Sequence, residues 1–210
     1  MSGIEYFYAA HSAYAWLGSA KFMEIAKQAR GQIVHKPVDL NQLLVGVGSV
    51  AFGDRPLNVR NYLFNRELER WTEFRGIKTL GRRPANHHHS PDLANRMLIA
   101  AAQQGHNIDK LAHRMLTAHW GEEADLADPG TLKQLAREVD LDGEASLEAA
   151  DTKAVHDAYA ANTWEAIERG VLGSPTYVVD GDLFYGQDRL DLVERALKQP
   201  FTKNWPPLTK

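Results

Sequence analysis

Ser12 is the residue of this chain best placed to do chemistry. It follows the short run Ile4-Glu-Tyr-Phe-Tyr8 and the turn Ala9-Ala-His11, and it precedes a stretch with helical periodicity. A serine in that place caps a helix by accepting a hydrogen bond from its first free amides. The positive end of the helix dipole also favours a negative charge beside it. A plain cap and an anion site share this signature, so both roles stand. His11, next to it, titrates near neutrality when unperturbed and is the candidate acid or base, with packing as its alternative role. His87, His88 and His89 form a second cluster. Consecutive histidines seldom converge on one ion, and no Asp, Glu or Cys set at ligand spacing accompanies them. No metal is expected, and the run reads as a solvated loop or a pocket wall. The chain has no cysteine. Disulfides, thiolate metal sites and a protein-borne thiol nucleophile are therefore excluded, and any thiol must arrive on a small molecule.

The elements that must position these residues follow from the hydrophobic pattern. Ile4 to Tyr8 is β-branched and aromatic and reads as a strand. Tyr14, Leu17, Phe22 and Ile25 recur at roughly helical spacing up to Gly31, and Gln32 to Val38 reads as a second strand. This is a βαβ unit, which implies a parallel pair. From Asp39 to Pro91 the pattern loosens into turns at Gly46, Gly48, Gly53 and Pro56, with an amphipathic helix over Val59 to Phe74. Further helices are predicted over Pro91 to Gln104, Ile108 to Trp120, Pro129 to Val139 and Lys153 to Arg169. Thr176 to Val179 and Leu183 to Tyr185 then form a hairpin across Asp180-Gly181. A last helix begins at Gly186-Gln-Asp188 and runs through Leu197. The expected class is α/β: a βαβ…ββα domain over 1–40 and 170–200, an all-helical insertion with its connecting segments over 41–169, and an irregular tail over 201–210.

With 210 residues, 44% of them apolar, the chain can bury one core or a core with a packed subdomain. A net charge of −3 gives no general electrostatic reason to bind nucleic acid or an anionic membrane. No stretch approaches the roughly 20 apolar residues of a membrane span. The start, Met1-Ser-Gly-Ile-Glu-Tyr6, lacks the pattern of a signal peptide, so a cytoplasmic location is expected.

The element order, with Ser174-Pro175 directly before the third strand, resembles the thioredoxin superfamily in its DsbA-like form. There a Cys-x-x-Cys motif opens the first helix and faces a cis-proline. Here that stretch is Ser12-Ala13-Tyr14-Ala15, which cannot exchange disulfides. Within the superfamily the chain resembles the 2-hydroxychromene-2-carboxylate isomerases and kappa-class glutathione transferases. Their Ser-Pro-Tyr-Ser-Tyr/Trp-Leu motif is matched by Ser12-Ala-Tyr-Ala-Trp-Leu17. Their Gly-x-Pro, hairpin and Phe-Gly-Ser-Asp-Arg are matched by Gly173-Ser174-Pro175 and Tyr185-Gly-Gln-Asp-Arg189. The likeness runs from Ile4 to Leu197. Ala13 replaces the usual proline, Gln187 replaces the serine, and Val59 and Arg60 stand where family members place a lysine.

The resemblance implies glutathione as cofactor. Ser12 would stabilise its thiolate, with His11 as an accessory acid or base. The Ser174–Pro175 bond would be cis, exposing the backbone of Ser174 to the peptide. Asp188 would receive the γ-glutamyl amine, with Gln187 beside it, although a helix-start charge is the alternative role for Asp188. The implied activity is glutathione-dependent cis–trans isomerisation of a conjugated aromatic keto acid. Two alternatives are a kappa-like transferase, which would consume glutathione, and a non-catalytic binding protein on a decayed redox fold. A homodimer is also expected from the resemblance.

Overall fold

The computed structural model describes residues 3–204. Strand β1 (Gly3–Tyr8) leads through helix α1 (Ala13–Ala29) to β2 (Gln32–Pro37), and the hairpin β3 (Thr176–Val179) and β4 (Asp182–Tyr185) completes one sheet in the order β2-β1-β3-β4. β1 pairs parallel with β2, Ile4 opposite Ile33, and antiparallel with β3, Glu5 opposite Val178. The hairpin closes on Asp180 and Gly181, both with positive φ, which matches the strand twist as the Asp-Gly pair predicts. Among the described residues no strand interrupts the helical block between β2 and β3. The expected thioredoxin-like βαβ…ββα order is therefore observed.

Alternation along β1 divides the core. Ile4, Tyr6 and Tyr8 face α1 and the helices α5 (Asp92–Gln103), α6 (Asp109–Glu122) and α10 (Leu190–Lys198). Phe7 and Ala9 face the other way, onto α2 (Leu40–Gly46) and α9 (Lys153–Glu168), where Leu43, Leu44 and Ala166 cover the sheet. Phe22 and Ile25 of α1 are fully buried, each contributing about 1.5–3 kcal/mol. Gly18 is required on the same helix: an added Cβ would lie 2.8 Å from the Gln187 side chain and 2.9 Å from the Tyr177 hydroxyl.

Two helices depart from the sequence expectation. α2 lies in the stretch read as turns; Asp39 caps it, and Leu40, Leu43 and Leu44 form its buried face. Seven residues among glycines are too few for periodicity to stand out. α8 (Gly143–Ala150), capped by Asp142, follows α7 (Pro129–Arg137). The helix expected over Val59 to Phe74 is instead α3 (Leu57–Asn61) and α4 (Glu67–Arg75), joined by a π-helical turn over Tyr62–Arg66. Such turns are rare and shift side chains out of register. Here the turn carries Phe64 and Asn65 onto a cavity wall. In the tail, 201–204 are irregular and Phe201 packs on the core, while 205–210 lie outside the described residues.

Candidate functional site

The turn between β1 and α1 is held by three different elements. The Ala9 amide donates to Ser174 Oγ at 3.1 Å, and the Ala10 amide donates to Asn95 Oδ1 on α5 at 2.9 Å. Trp120 Nε1 on α6 donates to the His11 carbonyl at 2.9 Å. Asn95 is fully buried; its amide also reaches the Tyr159 hydroxyl and the Val38 carbonyl, so one side chain ties the turn to α9 and to the end of β2. Ser12 then starts α1 as its cap, accepting from the Ala15 amide at 3.3 Å. Its hydroxyl donates to the Ser174 carbonyl at 3.2 Å. The Ser174–Pro175 bond is cis. Ser12, Ser174 and Pro175 thus converge, and Ser12 is only 6% exposed.

Ser12, Ser174 and His11 line a cavity of about 490 Å³ between the ends of the central strands and the helical block. Tyr14, Phe52, Phe64 and Trp120 supply aromatic walls. Arg60 and Arg83 supply positive charge, and neither makes an ion pair among the described residues. Among the described residues no Asp or Glu lines the cavity. Such a lining favours a flat, anionic molecule. Tyr14 donates to the Leu63 carbonyl at 2.9 Å, and burial pushes its phenol up, so it remains protonated.

The histidines divide between wall and surface. His87 and His88 line the cavity, while His89 pairs with Asp125 at 2.8 Å. Burial and the neighbouring His119 depress His11 to about 4. Burial, with His11 and His119 close by, depresses His87 to about 2. Both are neutral at physiological pH. No group of three His, Cys, Asp or Glu among the described residues is arranged to hold a metal, and no described helix is long and apolar enough to cross a membrane.

Gln187 departs from the sequence expectation. It is 1% exposed, its side chain is packed against Gly18, and its carbonyl accepts from Arg75. It does not line the cavity, because the close approach of α1 turns it into the core. Asp188 is exposed beside Arg189, at 3.6 Å, also outside the cavity wall. Conversely, Arg83, Trp120, His119 and Asn95 shape the site without a sequence signal. Each lies far along the chain from Ser12, in no recognisable motif.

Residues 3–198 match the family model described as DSBA-like thioredoxin domain. A curated 2-hydroxychromene-2-carboxylate isomerase from Sphingobium xenophagum is 25% identical over 194 residues, spanning 92% of this chain and 97% of that protein. One of the same name from Pseudomonas putida is 26% identical over 197 residues, spanning 92% and 93%. The solved structure of a 2-hydroxychromene-2-carboxylate isomerase superposes with a TM-score of 0.74 at 22% identity, covering 93% of this chain and 94% of that one.

Proposed function

The chain belongs to the DSBA-like thioredoxin domain family, and from that premise we propose that it is a glutathione-dependent cis–trans isomerase of the 2-hydroxychromene-2-carboxylate isomerase type. The observation that carries this reading is the setting of Ser12. A serine stands where a redox relative needs a cysteine, beside Ser174, on the wall of an acid-free aromatic cavity. The names of the curated relatives point the same way. When bound, glutathione supplies the thiol nucleophile that lets a conjugated double bond become transiently single and rotate.

The chain's own residues hold and polarise. Ser12 now directs its hydroxyl hydrogen to the Ser174 carbonyl. Redirecting it to a thiolate exchanges a neutral hydrogen bond, worth about 0.5–1.5 kcal/mol, for a charge-assisted one, worth about 1.5–3 kcal/mol. That exchange is downhill. The start of α1 adds the favourable field of its dipole, about 0.3–1 kcal/mol. Together these lower the pKa of a bound thiol by roughly one to two pH units. Arg60 and Arg83 hold the carboxylate of a conjugated aromatic keto acid, and Tyr14, Phe64 and Trp120 hold its ring. His11, neutral and buried, serves as an acceptor near the reacting atoms rather than as a cation. Asp188, exposed two residues after Gly186, whose amide donates to the Pro175 carbonyl, is the remaining anchor for the γ-glutamyl amine.

Calorimetric titration with glutathione, combined with isomerase turnover at substoichiometric glutathione, tests this reading. Saturable binding and many turnovers per glutathione are expected. Consumption of one glutathione per product would make the protein a transferase. Absence of binding would leave a non-catalytic fold.

A further inference from the structure

His87 lines the cavity, yet the isomerisation outlined above gives it no part. Its segment, 82–89, is clasped to the end of α6. The Glu123 carboxylate accepts from the Arg82 guanidinium and from the Ala85 amide, and Asn86 reaches the Glu123 carbonyl. This clasp presents His87 to His119, one residue before Trp120.

The hydrogen bonds then leave one protonation pattern. His119 Nδ1 lies 2.9 Å from the Ala124 carbonyl, which can only accept, so His119 Nδ1 carries the hydrogen. Neutral His119 therefore has a bare Nε2, and His87 Nδ1, 2.8 Å away, must donate to it. The remaining nitrogen of His87, Nε2, is the bare one. It has no hydrogen-bond partner among the described residues and, unlike His11 Nδ1, it is not fully buried, on a residue that lines the cavity. Arg60 and Arg83 on the cavity wall can only donate, and Asn41, Asn61 and Asn65 offer amides that turn to donate or accept, whereas the His87 acceptor is held in place through His119. His88 also directs Nδ1 to a carbonyl, that of Ala85, but it is exposed.

We propose that His87 is a specificity-determining residue whose Nε2, fixed as an acceptor by the chain through His119 to the Ala124 carbonyl, receives a hydroxyl of the substrate. This rests on the reading of the cavity as the substrate site. Arginines take the acceptor end of the molecule and His87 takes its donor. Burial keeps the imidazole neutral, so the acceptor persists at physiological pH.

Two measurements without glutathione or turnover test this, so their failure is separable from failure of the isomerase reading. In imidazole 15N spectra at neutral pH, with His87→Phe identifying the signal, His87 is expected as the neutral form protonated on Nδ1. Protonation on Nε2, or an imidazolium, overturns the proposal. In equilibrium binding, 4-hydroxycinnamate is expected to bind roughly two- to tenfold tighter than 4-methoxycinnamate. That preference should vanish in His87→Phe and persist in His88→Phe. Equal affinities in the parent protein, or a preference that survives His87→Phe, overturns it. If His87→Phe does not fold, His87→Leu identifies the signal and should likewise abolish the preference, and a preference unchanged in it overturns the proposal.

Discussion

The two walls of the cavity are made differently. The sheet-side wall, Ser12 and Ser174, is held mainly by main-chain groups. The Ser174 carbonyl takes the Ser12 hydroxyl, and the Ala15 and Ala9 amides donate to the two serine side chains. The helical wall is held by side chain on side chain: Trp120 against His87, His87 on His119, and Glu123 clasping Arg82. Main-chain geometry belongs to the fold and tolerates exchange of side chains around it. Side-chain chains belong to one sequence. The sheet-side wall therefore suits a constant component of a reaction, such as a cofactor, and the helical wall suits the component that distinguishes one enzyme from the next.

Acid should have the largest effect, because each wall carries a histidine that burial keeps neutral, His11 on one and His87 on the other. The unfolded chain protonates His11 near pH 6.5, whereas the folded protein keeps it neutral down to about 4. Between those values the unfolded state binds more protons, so stability is complete above pH 6.5 and falls as pH drops towards 4. His11 alone accounts for about 3 kcal/mol over that window. Denaturant titrations at pH 7 and pH 4.5 measure the loss; a flat profile would mean that neither histidine is held neutral by burial.

Arg83→Gln comes next. It removes one donor from the helical wall and should raise the KM for an anionic substrate by roughly tenfold, the lower end for a charged hydrogen bond because Arg83 is exposed. Glutathione affinity should not change. Equal losses for both ligands would show that the walls are not independent. Asp188→Asn should do the converse, weakening glutathione by about three- to tenfold while sparing an analogue that lacks the γ-glutamyl amine. Equal weakening of both peptides would make Asp188 only a charge at a helix start.

The same division explains what was legible in the sequence. Strand alternation in Ile4 to Tyr8, the capping serine and the Asp-Gly hairpin are local signals, so the strands followed from them, while the meeting of Ser12 with Ser174 was expected from the family resemblance. His119 and Arg83 carry no local signal; His119 is linked to His11 through the ring of His87, and Arg83 shares the cavity lining with His11, because distant segments pack together. Gln187 misled for the opposite reason. Its neighbours in sequence resemble a binding motif, but the approach of Gly18 draws its side chain into the core. α2 was hidden by its length, since seven residues give less than two turns of pattern.

The central claim is that the Ser12 hydroxyl stabilises a bound thiolate, and the absorbance of that thiolate against pH tests it most directly. In Ser12→Ala the titration of bound glutathione should move upward by about one pH unit. Turnover at neutral pH should fall while glutathione affinity changes little, and loss of the cap should cost about 1 kcal/mol of stability. Superimposable titration curves in the two proteins, with only a lower melting temperature in the variant, would contradict the account and leave Ser12 as a helix cap.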